Sequence, residues 1–360
     1  MMANVLVPAE TFPPGEYLRD ELEERGWTEK EFAEILGRPV QAISEILNGR
    51  KQIIPETALA IGEALGTSAE LWVNLQTAFD LHEAKSGRPL VTDVTRRSRL
   101  REWVPVAELK QRGWLPDTKD IDQLEKAVQK LLGTTDSDAE PWFAVAARRS
   151  NCGATFTPQQ TAWLSQVRRL ASERTVANFD KKATVALASD LAHRIHDPTE
   201  LGQLEGWLAD CGVALLTLLP LKSSKLDGAA MLLDDGTPAI GLTSRGDRMD
   251  GYVFTLLHEL AHLCLGHLDP GGVCADEDLI GLSEGEGREA EANHQASEWI
   301  FPEDPVLPGG RPPMSKVLQV AWQCHVHPSF VIGRIQRERD DWGYLRRSIP
   351  RVRPFVETHS

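Results

Sequence analysis

The chain has 360 residues, 41% of them hydrophobic and 26% charged, with a formal net charge of −14. That length allows two or three domains with ample core, and the composition is that of a soluble globular protein whose charge favours solubility and says little about fold. Membrane-protein and disulfide-scaffold classes are excluded. No apolar run is long enough to span a bilayer, and no signal peptide is expected in Met1 to Pro14, which is short and interrupted by prolines. The 5 cysteines are an odd number, widely spaced and without paired motifs, and point to a reducing cytoplasm.

Residues 15–84 read as five short helices. Thr28 and Glu31 form a capping box that opens Lys30 to Leu36, and Gly37 closes that helix. Pro39 opens the next, Val40 to Leu47, which ends at Asn48-Gly49. Two helices joined by so short a turn predict a helix-turn-helix. Leu18, Leu22, Phe32, Ala33, Leu36, Ile43, Ile46 and Leu47 fall at helical spacing and would make a small core. Pro55 opens a fourth helix to Leu65, and Gly66-Thr67-Ser68 precedes a fifth carrying Leu71, Trp72, Leu75 and Phe79.

Three separated phrases here resemble HigA-like antitoxins of the XRE class: Pro14-Gly-Glu-Tyr-Leu18, Gln41-Ala-Ile-Ser44-Glu-Ile-Leu-Asn48-Gly49, and Ala64-Leu-Gly-Thr-Ser-Ala-Glu-Leu-Trp72-Val-Asn-Leu-Gln76. The resemblance implies a five-helix, lambda-repressor-like DNA-binding domain over residues 1–84. It also implies that the helix from Pro39 to Leu47 enters the major groove, with Gln41, Ser44 and Glu45 facing base edges. Arg38, Asn48, Arg50 and Lys51 would touch phosphates. The expected partner is a palindromic double-stranded operator bound by a homodimer. Charge argues partly against this: residues 14–80 hold 6 Lys or Arg against 13 Asp or Glu, a net of −7, whereas nucleic-acid binders are usually basic. Most of those acids lie between Glu16 and Glu34, outside the reading helix, and it is the field at the docking face that matters. The run Arg96-Arg97-Ser-Arg99-Leu-Arg101 would extend phosphate contacts or else form a solvated or interdomain face.

Residues 85–189 are expected to form a helical connector region, punctuated by Gly87-Arg-Pro89 and Gly113-Trp-Leu-Pro116. Thr134 to Pro141 reads as an acidic loop, and Phe143 to Arg149 and Pro158 to Ala171 as helices. From Leu201 the pattern sharpens into a helix to Cys211 and a continuous apolar strand, Val213 to Leu219. Strands Ala229 to Leu233 and Ala239 to Thr243 follow, joined at Asp234-Asp-Gly236. The tail predicts helices around Ser315 to Cys324 and Pro328 to Asp340, with Trp322 and Trp342 packed against the domain. The fold class is therefore mainly α with a small β-sheet.

The strongest chemical signal is Thr255-Leu-Leu-His258-Glu259-Leu-Ala-His262-Leu263. Two histidines four residues apart on an apolar helix present both imidazoles to one metal ion, and Glu259 can reach water held there. Asp247 or Asp250 would cap this helix and Gly266 end it. A zinc peptidase needs a third protein ligand, commonly from a helix downstream, and Glu289 to Pro302 reads as such a helix stopped by Pro302. His267 misses the metzincin position, which would put glycine at Leu265 and histidine at Leu268. It is expected to support the site or lie on the surface. Cys264 points away from the metal face and Cys274 lies in a loop, so both read as ordinary reduced cysteines.

His258 to His262 followed by Glu291-Ala-Asn293 and Trp299-Ile-Phe-Pro302 resembles the ImmA/IrrE-type metallopeptidases, over residues 190–345. The resemblance implies an α+β zincin-like domain over residues 190–360, with His258, His262 and Glu291 holding Zn2+ and Glu259 as the proton-transferring base. Glu289 is the fallback ligand: it lies about 200° around a helix from Glu291, so both cannot face one metal. Tyr252, His325 and His327 are the candidates for stabilising an oxyanion.

Two functions remain open at this point. One is a transcriptional regulator whose zinc endopeptidase domain cuts a repressor or its own amino-terminal half. The other is an antitoxin-like repressor that neutralises a toxin partner, its zinc fold serving to bind or sense.

Overall fold

The computed structural model describes residues 11–86, 92–134, 156–268, 273–277, 287–356 and 358. The expected helix Phe143 to Arg149, and the acidic loop beyond Thr134, lie outside the described residues. Among the described residues no helix is long and apolar enough to cross a membrane. The chain divides into two compact units, Met1–Thr92 and Asp93–Ser360.

The first unit holds five helices: α1 (Pro14–Arg25), α2 (Glu29–Ile35), α3 (Val40–Leu47), α4 (Pro55–Leu65) and α5 (Ala69–Lys85). The capping box forms as expected, because Thr28 Oγ1 accepts from the Glu31 amide at 3.2 Å and Glu31 Oε2 accepts from the Thr28 amide at 2.8 Å. The Thr28 amide and hydroxyl, both donating to the Glu31 carboxylate, hold it below its ordinary pKa. Leu18, Leu22, Phe32, Ala33, Ile43, Ile46 and Leu47 are buried, together with Ile53, Ala58, Ile61, Leu65 and Trp72. Leu36 packs at the margin of this core. Gly15 has a steric duty: a side chain there would strike the carbonyls of Ile46 and Leu47, where α1 crosses the end of α3.

The second unit is built on a four-stranded sheet of β1 (Ala214–Leu218), β2 (Leu226–Leu232), β3 (Pro238–Thr243) and β4 (Val273–Glu277). Their spatial order is β1-β3-β2-β4. β1 runs parallel to β3 with Leu216 opposite Gly241, and β2 runs antiparallel to β3 with Ala230 opposite Ile240. β4 pairs antiparallel with β2 through Ala230 and Cys274. The sequence does not predict β4, a short segment ending in Asp276-Glu277.

Helices cover both faces of the sheet, which is why β1 is buried throughout instead of alternating. One face, with Leu215, Ala230, Ile240 and Leu242, packs with helices α10 (Lys181–Arg194), α11 (Leu204–Asp210), α12 (Met249–Leu265), α13 (Arg288–Ile300), α14 (Met314–Gln323) and α15 (Pro328–Arg339). The other face, with Ala214, Leu216, Leu218, Ala229, Met231 and Ala239, packs with α6 (Asp93–Trp103), α7 (Val106–Gln111), α8 (Ile121–Leu132) and α9 (Pro158–Ser172). Gly241 lets α9 approach, since a Cβ there would come within 2.8 Å of the Trp163 ring.

Several expectations need correcting. The helix expected from Leu201 to Cys211 is split into a 3-10 turn, Pro198–Gln203, and α11. Trp322 does not pack against the domain: it is 76% exposed, sharing an outward face of α14 with Leu318 one turn earlier, while Val317, Val320 and Ala321 turn inward. Trp342 is half-buried beneath the Arg248 guanidinium. The arginine run from Arg96 keeps the solvated face that is one of its two expected roles, with Arg97 and Arg101 exposed, and also makes contacts within the second unit. Arg96 binds Asp122 and Glu125 of α8, Arg97 lies 3.8 Å from Asp93, and Arg99 stacks over Trp103.

Candidate functional site

Apolar residues at Val253, Leu256, Leu257, Leu260 and Ala261 bury α12 beneath the sheet. The neighbouring positions His258, Glu259 and His262 go inside with them, each 0% exposed. Neither acid expected to cap the helix does so. Asp247 accepts from the amides of Val352 and Arg353 in the carboxy-terminal segment, and Asp250 is held by Arg248. Gly266 does end the helix, in the left-handed conformation at φ 78°.

His258 Nε2 and His262 Nε2 lie 2.9 Å apart. The carboxylate that meets them is Glu289 of α13, with Oε2 3.3 Å from the first nitrogen and 3.5 Å from the second. Glu291, the ligand implied by the family resemblance, does not: its Oε2 is 3.1 Å from His267 Nε2. Helical periodicity explains the correction. Glu289 and Asn293 are one turn apart and share a face, Asn293 Oδ1 lying 3.1 Å from His258 Nδ1, whereas Glu291 falls about 200° around the helix from Glu289. Burial alone would raise the Glu289 pKa, but the His258 and His262 imidazoles facing it overcome this and hold the carboxyl well below the usual range.

The set His258, His262 and Glu289 could hold a metal ion. Its chemistry fits one of zinc's preference for nitrogen and carboxylate oxygen. Bonds of about 2.0–2.1 Å at tetrahedral angles would place donor atoms about 3.3 Å apart, within the spread of separations seen here. Among the described residues the donors number three, which would leave a fourth position for water or substrate. Glu259 approaches from the same helix, against β2: a Cβ on Gly228 would collide with its carboxylate and come within 2.7 Å of Thr255 Cγ2. A glycine inside a strand is the sequence signal for such an approach, and Gly228 is a residue that motif reading missed.

The other candidates are placed elsewhere. Tyr252 is buried with its hydroxyl 2.6 Å from Thr217 Oγ1 on β1, and burial pushes its pKa upward. His325 is exposed. His327 accepts from the Ser329 amide at 3.1 Å as the N-cap of α15. Cys264 and Cys274 are buried, and burial pushes the Cys264 thiol up to about 11, which makes it unreactive.

In the first unit α3 turns Ile43, Ile46 and Leu47 inward and leaves Gln41 exposed and Ser44 and Glu45 half-exposed. Gln41 Nε2 donates to Glu45 Oε1 at 3.1 Å. Asn48 donates to the Ser44 carbonyl at 2.7 Å and so closes the end of α3, while Arg50 and Lys51 stand exposed just beyond and Arg38 lies half-exposed in the turn. All seven residues therefore fall on α3 or the turns flanking it.

Comparison with known proteins divides the chain in the same way. A helix-turn-helix family model matches residues 18–72, and the model described as the IrrE N-terminal-like domain, a peptidase family, matches residues 215–335. The uncharacterized HTH-type transcriptional regulator YddM of Escherichia coli strain K12 is 32% identical over 87 residues, 24% of this chain and 88% of that protein. Antitoxin HigA-1 of Vibrio cholerae serotype O1 is 35% identical over 94 residues, 24% of this chain and 89% of its own. Virulence-associated protein I of Dichelobacter nodosus is 35% identical over 88 residues, 22% of this chain and 82% of its own. This chain belongs to the HigA-like helix-turn-helix family through its amino-terminal unit, and carries in the same polypeptide an IrrE/ImmA-like domain.

Proposed function

We propose that the protein is a DNA-binding transcriptional regulator whose second unit is a zinc-dependent endopeptidase, cutting a repressor or the chain's own amino-terminal half to change gene expression. The observation that carries the reading is the meeting of two buried imidazole nitrogens and one carboxylate oxygen beside the buried Glu259. When bound, zinc supplies Lewis acidity, lowering the pKa of water toward neutrality and polarising the scissile carbonyl. His258, His262 and Glu289 hold the ion. Glu259 takes a proton from the attacking water at its carboxylate and returns it to the leaving amine. On DNA, Gln41, Ser44 and Glu45 read base edges from the major groove while Arg38, Asn48, Arg50 and Lys51 grip phosphates, and a homodimer spans a palindromic operator. Such a regulator works in the cytoplasm.

Glu259→Gln tests the catalytic half, because it removes the base and none of the ion's ligands. The variant should keep its zinc by metal analysis while new protein termini, counted in cells expressing the chain, fall by about 10²- to 10⁴-fold or more. A second reading is favoured by the likeness to antitoxin HigA-1: a repressor that neutralises a toxin, with the zinc fold used for binding or sensing. Normal regulation and an unchanged set of termini in Glu259→Gln would leave that reading standing and remove the endopeptidase.

A further inference from the structure

His262 Nε2 faces the candidate ion, and its other ring nitrogen, Nδ1, lies 3.0 Å from Nδ1 of His267. His267 Nε2 lies in turn 3.1 Å from Glu291 Oε2. One arrangement of hydrogens satisfies this row. A lone pair on His262 Nε2 requires the hydrogen on its Nδ1, which donates to the bare Nδ1 of His267, whose Nε2–H then donates to the Glu291 carboxylate. The parallel for His258 is simpler: its Nδ1–H donates directly to Asn293 Oδ1 at 3.1 Å. Each imidazole of the pair thus has its rear nitrogen engaged by a different acceptor, which fixes ring orientation and tautomer.

Local structure holds His267 in this place. Gly266 reverses the chain, the His267 amide bonds the His262 carbonyl at 3.0 Å, and Arg288 of α13 donates to the His267 carbonyl at 2.9 Å. The side chain is buried at 7% exposure, although it lies in the loop after the helix.

We infer that His267 and Glu291 are positioning residues, a hydrogen-bonded chain from surface carboxylate to imidazole that aims His262 Nε2 at the ion. The inference rests on the zinc reading above and goes beyond it, because neither residue touches the ion. The test uses the full chain and zinc alone, by competition against a chromophoric chelator, with the cobalt(II)-loaded absorption spectrum as a second readout. His267→Ala should lower zinc affinity about 10- to 100-fold and alter the cobalt spectrum. His267→Asn should restore most of the affinity, because its Oδ1 can replace the lost Nδ1 as Asn293 does for His258. Glu291→Ala, at a side chain 66% exposed and harmless to the core, should lower affinity less, near the bottom of that range. Wild-type affinity in both His267→Ala and Glu291→Ala overturns the chain while leaving the zinc site intact. A wild-type chain that takes up no zinc overturns both.

Discussion

The two units place their chemistry at opposite ends of the burial scale. On α3 the core and the proposed reading face are separate residues of one helix: Ile43, Ile46 and Leu47 turn in, and Gln41, Ser44 and Glu45 turn out. On α12 both are buried: His258, Glu259 and His262 are 0% exposed, and so are Leu256 and Leu260, about 200° around the helix from His258. A buried polar atom must be partnered or it destabilises the fold, so chemistry on α12 recruits supporting residues from elsewhere. Asn293 and Glu289 come from α13, His267 from the loop and Gly228 from the sheet. Chemistry on α3 recruits none of these and can be altered without touching the fold.

The largest effect should come from the residue that this contrast makes indispensable. Glu289→Gln, altering a carboxylate that meets both imidazoles, should weaken zinc binding by more than about 100-fold, beyond the range for residues that only support a ligand. Glu291→Gln, which keeps an acceptor for His267, should stay within about tenfold. Competition titrations that ranked the two in reverse would return the ligand role to Glu291. Next comes Gly228→Ala, where the new methyl meets Glu259 and Thr255. The strain should cost about 1–3 kcal/mol in denaturant unfolding, and cleavage should fall more than zinc uptake because the displaced group is the proposed base. Cleavage and zinc binding falling in step would mean that the strand, and not Glu259, had moved.

How much of this was legible from the sequence follows the same divide. The first unit was readable nearly to the residue, because its helices are bounded by local chemistry: the Thr28–Glu31 box, Pro55 at the start of α4, and Gly66 at φ 70° after it. The metal helix was equally plain, since an i, i+4 pair fixes a face. The third donor was narrowed to two acids that periodicity forbids from acting together, but periodicity does not say which one meets a partner on another helix. Asn293 stood inside the quoted motif without a role, and Arg288 and Gly228 carried no motif at all, because their duties depend on what packs beside them. β4 and the second helical layer were hidden for a like reason. An apolar stripe such as Leu124, Val128 and Leu131 shows that α8 is buried on one side and is silent about the sheet face it covers.

Separability on α3 gives the smaller effects. Gln41→Ala and Ser44→Ala should each relax sequence preference by about 1–3 kcal/mol at one position, whereas Arg50→Ala should weaken binding to all sequences alike and lower the salt slope by about 1. Salt-dependent binding curves on matched and scrambled operators check both. Identical footprints for all three variants would place DNA recognition elsewhere on the unit.

Thr28→Ala should have the smallest consequence for function and so bears on separability most directly. Thr28 Oγ1 closes the start of α2 and is not one of the seven proposed DNA contacts, and removing it frees the Glu31 amide to water. The expected cost is about 0.5–2 kcal/mol, seen as a lower denaturant midpoint for the first unit at unchanged slope. Operator affinity measured well below that midpoint should not move. If it did, α2 would be shaping the position of α3 on DNA, and stability and recognition would be as entangled in this unit as they are around the candidate metal site.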